Sequence, residues 1–88
     1  MKHASHPDII RRLKQANGQI ASVIKMFEDE RSCLELAQQL QAVESIIHAA
    51  KRTLIQDHME HCIADAAVED AESARQALNE FKSLSKYL

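Results

Sequence analysis

Apolar residues recur along this chain at steps of three and four, in three runs separated by short charged or polar segments. Ile9, Leu13, Ala16, Ile20, Val23 and Phe27 form the first run, a stripe along one side of a helix sustained for about five turns. Pro7 suits a first helical turn, where its missing N–H costs nothing, and Asp8 complements the helix N-terminus. The charged segment 28–32 closes this helix. Ser32 followed by Glu35 is a capping-box pattern, and a second seam then runs through Leu36, Leu40, Val43, Ile47, Ala50 and Leu54. Four residues past Leu54 stands His58, and seven past it His61, while Cys33 prolongs the same seam at its start. Residues 33–62 therefore read as one uninterrupted helix. Residues 65–71, DAAVEDA, read as a loop or helix break. A third helix is expected over 72–87, with Ala74, Leu78, Phe81, Leu84 and Leu88 inward. Gly18 interrupts the first helix at a cost of roughly 1 kcal/mol against Ala, which a close approach by another backbone would explain.

Composition agrees with an all-α chain. Its 88 residues include one Gly, one Pro and no Trp, so residues 1–88 are read as one small helical domain held by aliphatic helix-on-helix packing. Two long seams and one short third helix cannot all be covered within a monomer, which predicts assembly through the first two helices. No run approaches the ~20 apolar residues of a membrane span, and the charged start has no signal-peptide apolar region. A cytoplasmic protein with no membrane partner is expected, its two cysteines thiols rather than a disulfide. The net charge of −2 is uneven. Lys2, Arg11, Arg12, Lys14 and Lys25 stand against Asp8 alone over residues 1–27, whereas the remainder is acidic. A basic first segment points to an anionic partner there.

The chemistry lies at the two ends of the long helix. Cys33 and His58 are 25 residues apart, roughly 37 Å at ~1.5 Å per residue, so one copy cannot bring both to a common ligand. Two copies running antiparallel can, since Cys33 of one then lies beside His58 and Cys62 of the other. Setting Cys33 opposite the midpoint of His58 and Cys62 puts a two-fold axis near Ile46–Ile47, with two equivalent sites. His58 and Cys62, spaced i, i+4, share a helical face. Two thiolates with one imidazole favour Cu(I), whereas Zn(II) wants a fourth ligand. His61, Met59, His3 or His6 could supply it, and the α-amine of Met1 with His3 could chelate Cu(II) or Ni(II). In an arbitrary chain such residues are more often an inert thiol and exposed histidines; the third ligand at a compatible place on a partner helix tips the balance here. Nothing resembles an oxyanion device or an oriented Cys/His nucleophile, so no enzyme is expected.

Cys33, His58 and Cys62 at these spacings, with Arg11-Arg12-Leu13-Lys14 ahead of Asn17-Gly18-Gln19 and with QQLQAV over residues 38–43, resemble the copper-sensitive operon repressor (CsoR) family. Its members sense copper, nickel or cobalt, formaldehyde, or persulfide. The resemblance covers essentially the whole chain. It implies a three-helix protomer, an antiparallel hairpin dimer (a four-helix bundle) and a disc-like homotetramer that binds operator DNA and releases it on binding an effector. By position it implies Cys33, His58 and Cys62 as Cu(I) ligands. It further implies Arg12 with Arg11 and Lys14 as DNA contacts joined by Lys51 and Arg52, and Glu80 as a third-helix acid linking the metal site to DNA affinity. The copper branch often has Tyr before the first cysteine, where this chain has Ser32. Lys2 and Cys62 argue against a formaldehyde sensor, and His58 against a persulfide sensor. The histidine that nickel sensors carry 32 residues before the cysteine falls on Met1, yet His3 and His6 keep Ni(II) or Co(II) open. The competing class is a metal-buffering helical bundle without DNA affinity.

Overall fold

The computed structural model describes residues 4–68 and 70–88, and for residues 62, 63 and 65–68 the backbone alone. The expectations placed on Met1, Lys2, His3 and the Cys62 side chain lie outside the described residues. Three α-helices make up the described chain: α1 (His6–Glu28), α2 (Cys33–Val68) and α3 (Ala71–Ser85). α2 is the central element. α1 packs along it as an antiparallel hairpin and α3 packs on its later part, and α1 and α3 do not meet among the described residues. The result is a rod with extents of 59 × 23 × 13 Å. No described helix is long and apolar enough to cross a membrane.

Local chemistry sets the ends of each helix. Pro7 lies in the first turn of α1 and Asp8 supplies its acid. At the other end Glu30 adopts φ 56°, and the N–H groups of Glu30 and Arg31 donate to the carbonyls of Phe27 (3.1 Å) and Met26 (3.1 Å). This is a Schellman stop with glutamate in the left-handed position usually given to glycine. Ser32 caps α2 as its spacing with Glu35 predicts. The Glu35 N–H donates to Ser32 Oγ (3.2 Å), and the Ser32 hydroxyl donates to Glu35 Oε1 (3.1 Å). Asp70 caps α3 by accepting from the Ser73 N–H at 2.9 Å, which holds its carboxyl below the ordinary aspartate range.

Two sequence expectations are corrected. α2 does not break after Cys62 but continues to Val68, because Ala64, Ala66 and Ala67 are strong helix formers and neither Gly nor Pro intervenes. Each apolar seam is also split. Ile9, Ala16 and Val23 are buried against α2, whereas Leu13, Ile20 and Phe27 are 41–53% exposed, beside exposed Ile10 and Ile24. On α2, Leu36 and Ala50 are buried while Leu40, Ile47 and Leu54 stay 40–47% exposed. The stripes are wider than one neighbouring helix can cover, so every second heptad position is left open. α3 turns Ala74, Phe81 and Leu84 inward as expected, but Leu78 and Leu88 are exposed.

Candidate metal centre and nucleic-acid face

α2 carries Cys33 in its first turn, an exposed free thiol, and His58 25 residues further along the same unbroken helix. One protomer therefore holds them roughly 37 Å apart. Among the described residues, no three His, Cys, Asp or Glu side chains converge on a point that could hold a metal ion. His58 lies under α3, where its Nε2 is 2.7 Å from Glu80 Oε1. The third-helix acid thus stands against the imidazole. Beside the pair is a pocket of about 370 Å³ bordered by Leu54, Ser83, Leu84 and Tyr87.

The other histidines are directed elsewhere. His61 turns back one turn, its Nδ1 3.1 Å from Asp57 Oδ1 and 2.8 Å from the Asp57 carbonyl. His6 opens α1 and is half-buried. It sits at the same end of the hairpin, because the Ser5 hydroxyl donates to Asp57 Oδ2. His61 and His58 consequently serve different neighbours, Asp57 and α3. Asp57 and Ser5 escaped the sequence reading. The only sequence signal for Asp57 is its place four residues before His61, and nothing local links it to Ser5.

The basic residues come to one level of the rod. Ser5 rests on Asp57 and the hairpin turns over residues 29–32, so position i on α1 lies level with about 62 − i on α2, as an antiparallel hairpin requires. Arg11, Arg12 and Lys14 are therefore level with residues 48–51, next to Arg52. Lys51 and Arg52 are exposed and, with His48 and Tyr87, border a second small pocket. Arg11 and Arg12 both engage Asp8, Arg12 through Nε at 2.9 Å. The Arg12 and then the Arg11 guanidinium keep the Asp8 carboxyl below its ordinary range.

An all-helical hairpin with thiol and imidazole at opposite ends of one helix, and a band of exposed cations beside it, is the architecture of a ligand-responsive regulator rather than a catalyst. Residues 5–86 match the family of metal-sensitive transcriptional repressors, and the protein belongs to that family, the CsoR family. It is a metal-sensitive transcriptional repressor and not an enzyme. It is similar to the copper-sensing transcriptional repressor CsoR of Bacillus subtilis (strain 168), with 35% identity over 80 residues, 89% of this chain and 79% of that protein. It is also similar to the copper-sensing transcriptional repressor RicR of Mycobacterium tuberculosis (strain ATCC 25618 / H37Rv), with 29% identity over 70 residues, 80% of this chain and 73% of that one. Among solved structures it resembles the nickel-responsive transcriptional regulator InrS, with a TM-score of 0.86, 30% identity, and coverage of 99% of this chain and 96% of that chain.

Proposed function

We propose that this repressor senses copper by holding Cu(I) between two protomers, with Cys33 of one and His58 and Cys62 of its partner as ligands. The observation that carries the reading is the continuity of α2 from Cys33 to Val68, which keeps the ligands of one copy apart. A second copy running antiparallel, with its axis near Ile46–Ile47, brings them together at both ends. Ile47 lines an open groove of about 790 Å³ with Leu40, Val43, Glu44, His48 and Lys51, apolar surface of the kind a second copy covers. Pairing of such dimers gives the disc-like homotetramer. Two thiolates and an imidazole suit Cu(I), as does the similarity to two copper sensors. The ion supplies bonds that fix two protomers in one geometry. An imidazole whose Nε2 meets a carboxylate coordinates through Nδ1, so Glu80 would orient His58 and report its state to α3.

In this reading Arg11, Arg12, Lys14, Lys51 and Arg52 contact operator phosphates, with an affinity that falls steeply with salt. Metal favours a protomer arrangement that presents these cations poorly, and by linkage DNA weakens metal binding equally. The test is release of promoter DNA from the protein's own locus, by gel shift, across Cu(I), Ni(II), Co(II), Zn(II) and formaldehyde. Cu(I) should release it, and replacing Arg11 and Arg12 with Ala should abolish operator binding while Cu(I) still binds. A nickel- or cobalt-responsive repressor is the second reading, favoured by the resemblance to InrS and by His6 at the ligand-bearing end of the hairpin. Release by Ni(II) or Co(II) and not by Cu(I) would replace the first reading with it.

A further inference from the structure

Ser5 occupies the N-cap of α1, where a serine hydroxyl ordinarily accepts from an N–H two or three residues on. Ser5 makes no such bond. Its hydroxyl donates instead to Asp57 Oδ2, 52 residues away in sequence. The Asp57 side chain is only 12% exposed, and its other oxygen meets His61 Nδ1 at 3.1 Å. A hydrogen bond to a carboxylate is among the stronger kinds, and a half-buried carboxylate stripped of a donor is costly. The first turn of α1 is thereby tied to one particular turn of α2. That turn also carries His58, whose Nε2 meets Glu80 of α3. Two consecutive residues, Asp57 and His58, thus fasten a single turn of α2 to α1 on one side and to α3 on the other. Arg11 and Arg12 follow Ser5 by six and seven residues, roughly 10 Å along α1.

We propose that Asp57 is a positioning residue that relays the state of the His58 turn to the basic start of α1 through its hydrogen bond with Ser5. The proposal rests on the metal-sensing role of His58 put forward above. Asp57 itself is neither a metal ligand nor a DNA contact. Its carboxylate holds α1 so that a shift of the ligand-bearing turn moves Arg11 and Arg12 with it, a rigid coupling through a short chain of packed groups.

The experiment uses the full chain and Cu(I) alone as the probe, and reads amide hydrogen exchange over residues 6–12 beside operator affinity. In the wild type, Cu(I) should change exchange in the first two turns of α1 by about fivefold or more. In Ser5→Ala and Asp57→Asn that change should fall below about twofold, with Cu(I) affinity by chelator competition within about threefold of wild type. Ser5→Thr keeps the hydroxyl and should restore the response, which a merely structural loss at this position would not. The Cu(I)-induced drop in operator affinity should shrink by about fivefold in Ser5→Ala, with metal-free operator affinity little changed. Exchange at α1 that ignores bound Cu(I), or responds equally in Ser5→Ala, would overturn the relay. A wild type whose α1 responds to Cu(I) while the operator stays bound would overturn the copper-release reading and leave the relay standing. Should Cu(I) not bind at all, that reading falls, and the same exchange measurement with Ni(II) decides the relay.

Discussion

Two residues show how an ordinary-looking side chain, or the lack of one, points beyond the protomer. Gly18 sits inside α1, where glycine costs about 1 kcal/mol against alanine. A Cβ built there meets nothing within 4 Å, and the backbone does not need positive φ. Nothing within the protomer asks for glycine, so the requirement comes from whatever approaches α1 in the assembly or on DNA. Gly18→Ala should therefore stabilise the isolated protomer by about 0.5–1 kcal/mol in urea unfolding while weakening self-association or operator binding. Unchanged assembly and operator affinity would leave the glycine without a role. Asp8 poses the complementary case. It engages Arg11 and Arg12, the two cations expected to meet phosphate. Its lowered pKa means that this pairing is fully present above the ordinary aspartate value and is lost only as pH falls through the lowered one. The competition is therefore in force at neutral pH. Asp8→Asn should raise operator affinity several-fold and steepen its dependence on salt by about one to two phosphate equivalents in a log–log titration. A drop in affinity would mean that Asp8 orients Arg12 for DNA rather than withholding it.

At the scale of elements, whatever is local was legible and whatever depends on a distant neighbour was not. The Ser32/Glu35 cap, the three periodic runs and the uninterrupted helix between Cys33 and His58 all follow from spacings within a few residues. The stop of α1 did not follow, because the left-handed residue is Glu30 and not the glycine that usually marks it. An L-residue there costs about 1 kcal/mol or more. Glu30→Gly should accordingly raise the midpoint of thermal unfolding by a few degrees, from about 0.5–1 kcal/mol of relieved strain. No gain would show that Glu30 makes compensating contacts in the assembly. The apolar seams were visible as stripes, but periodicity does not say which half of a stripe the hairpin covers. Of the candidate site, the separation of Cys33 from His58 was readable from residue count alone, and the Glu80 contact only through a resemblance. The Ser5–Asp57 bond was hidden, since no local pattern joins residues 52 apart. The same contact explains why a serine at a helix start is not always a cap.

For the whole molecule, the decisive property is that a protomer is an incomplete object. It is a thin rod, 13 Å in its shortest dimension, with Ile10, Leu13, Ile20, Ile24 and Phe27 exposed on α1 and Leu40, Ile47 and Leu54 exposed on α2. Its reactive groups lie at opposite ends of one helix. Both facts are met by the same remedy, a second copy that covers the apolar stripes and supplies the missing ligand. This makes a prediction that a site within one protomer cannot imitate. Cys33→Ala alone and His58→Ala alone should each abolish tight Cu(I) binding in a homodimer, because each removes one ligand from both sites. Co-expressed with different tags and purified as a mixed dimer, the two variants should bind Cu(I) again at about half the wild-type stoichiometry, by the symmetry of an antiparallel pair. At one end of the mixed dimer Cys33 from the His58→Ala chain meets His58 and Cys62 from the Cys33→Ala chain, and that site is whole. The other end lacks both Cys33 and His58. A mixed dimer that stays inert while both parents remain folded and dimeric would refute the shared site. Tight, stoichiometric binding by the Cys33→Ala homodimer would refute Cys33 as a ligand. Half-restored binding would place the switch in the contact between protomers, where a change at the helix ends can reach the basic residues of both chains together.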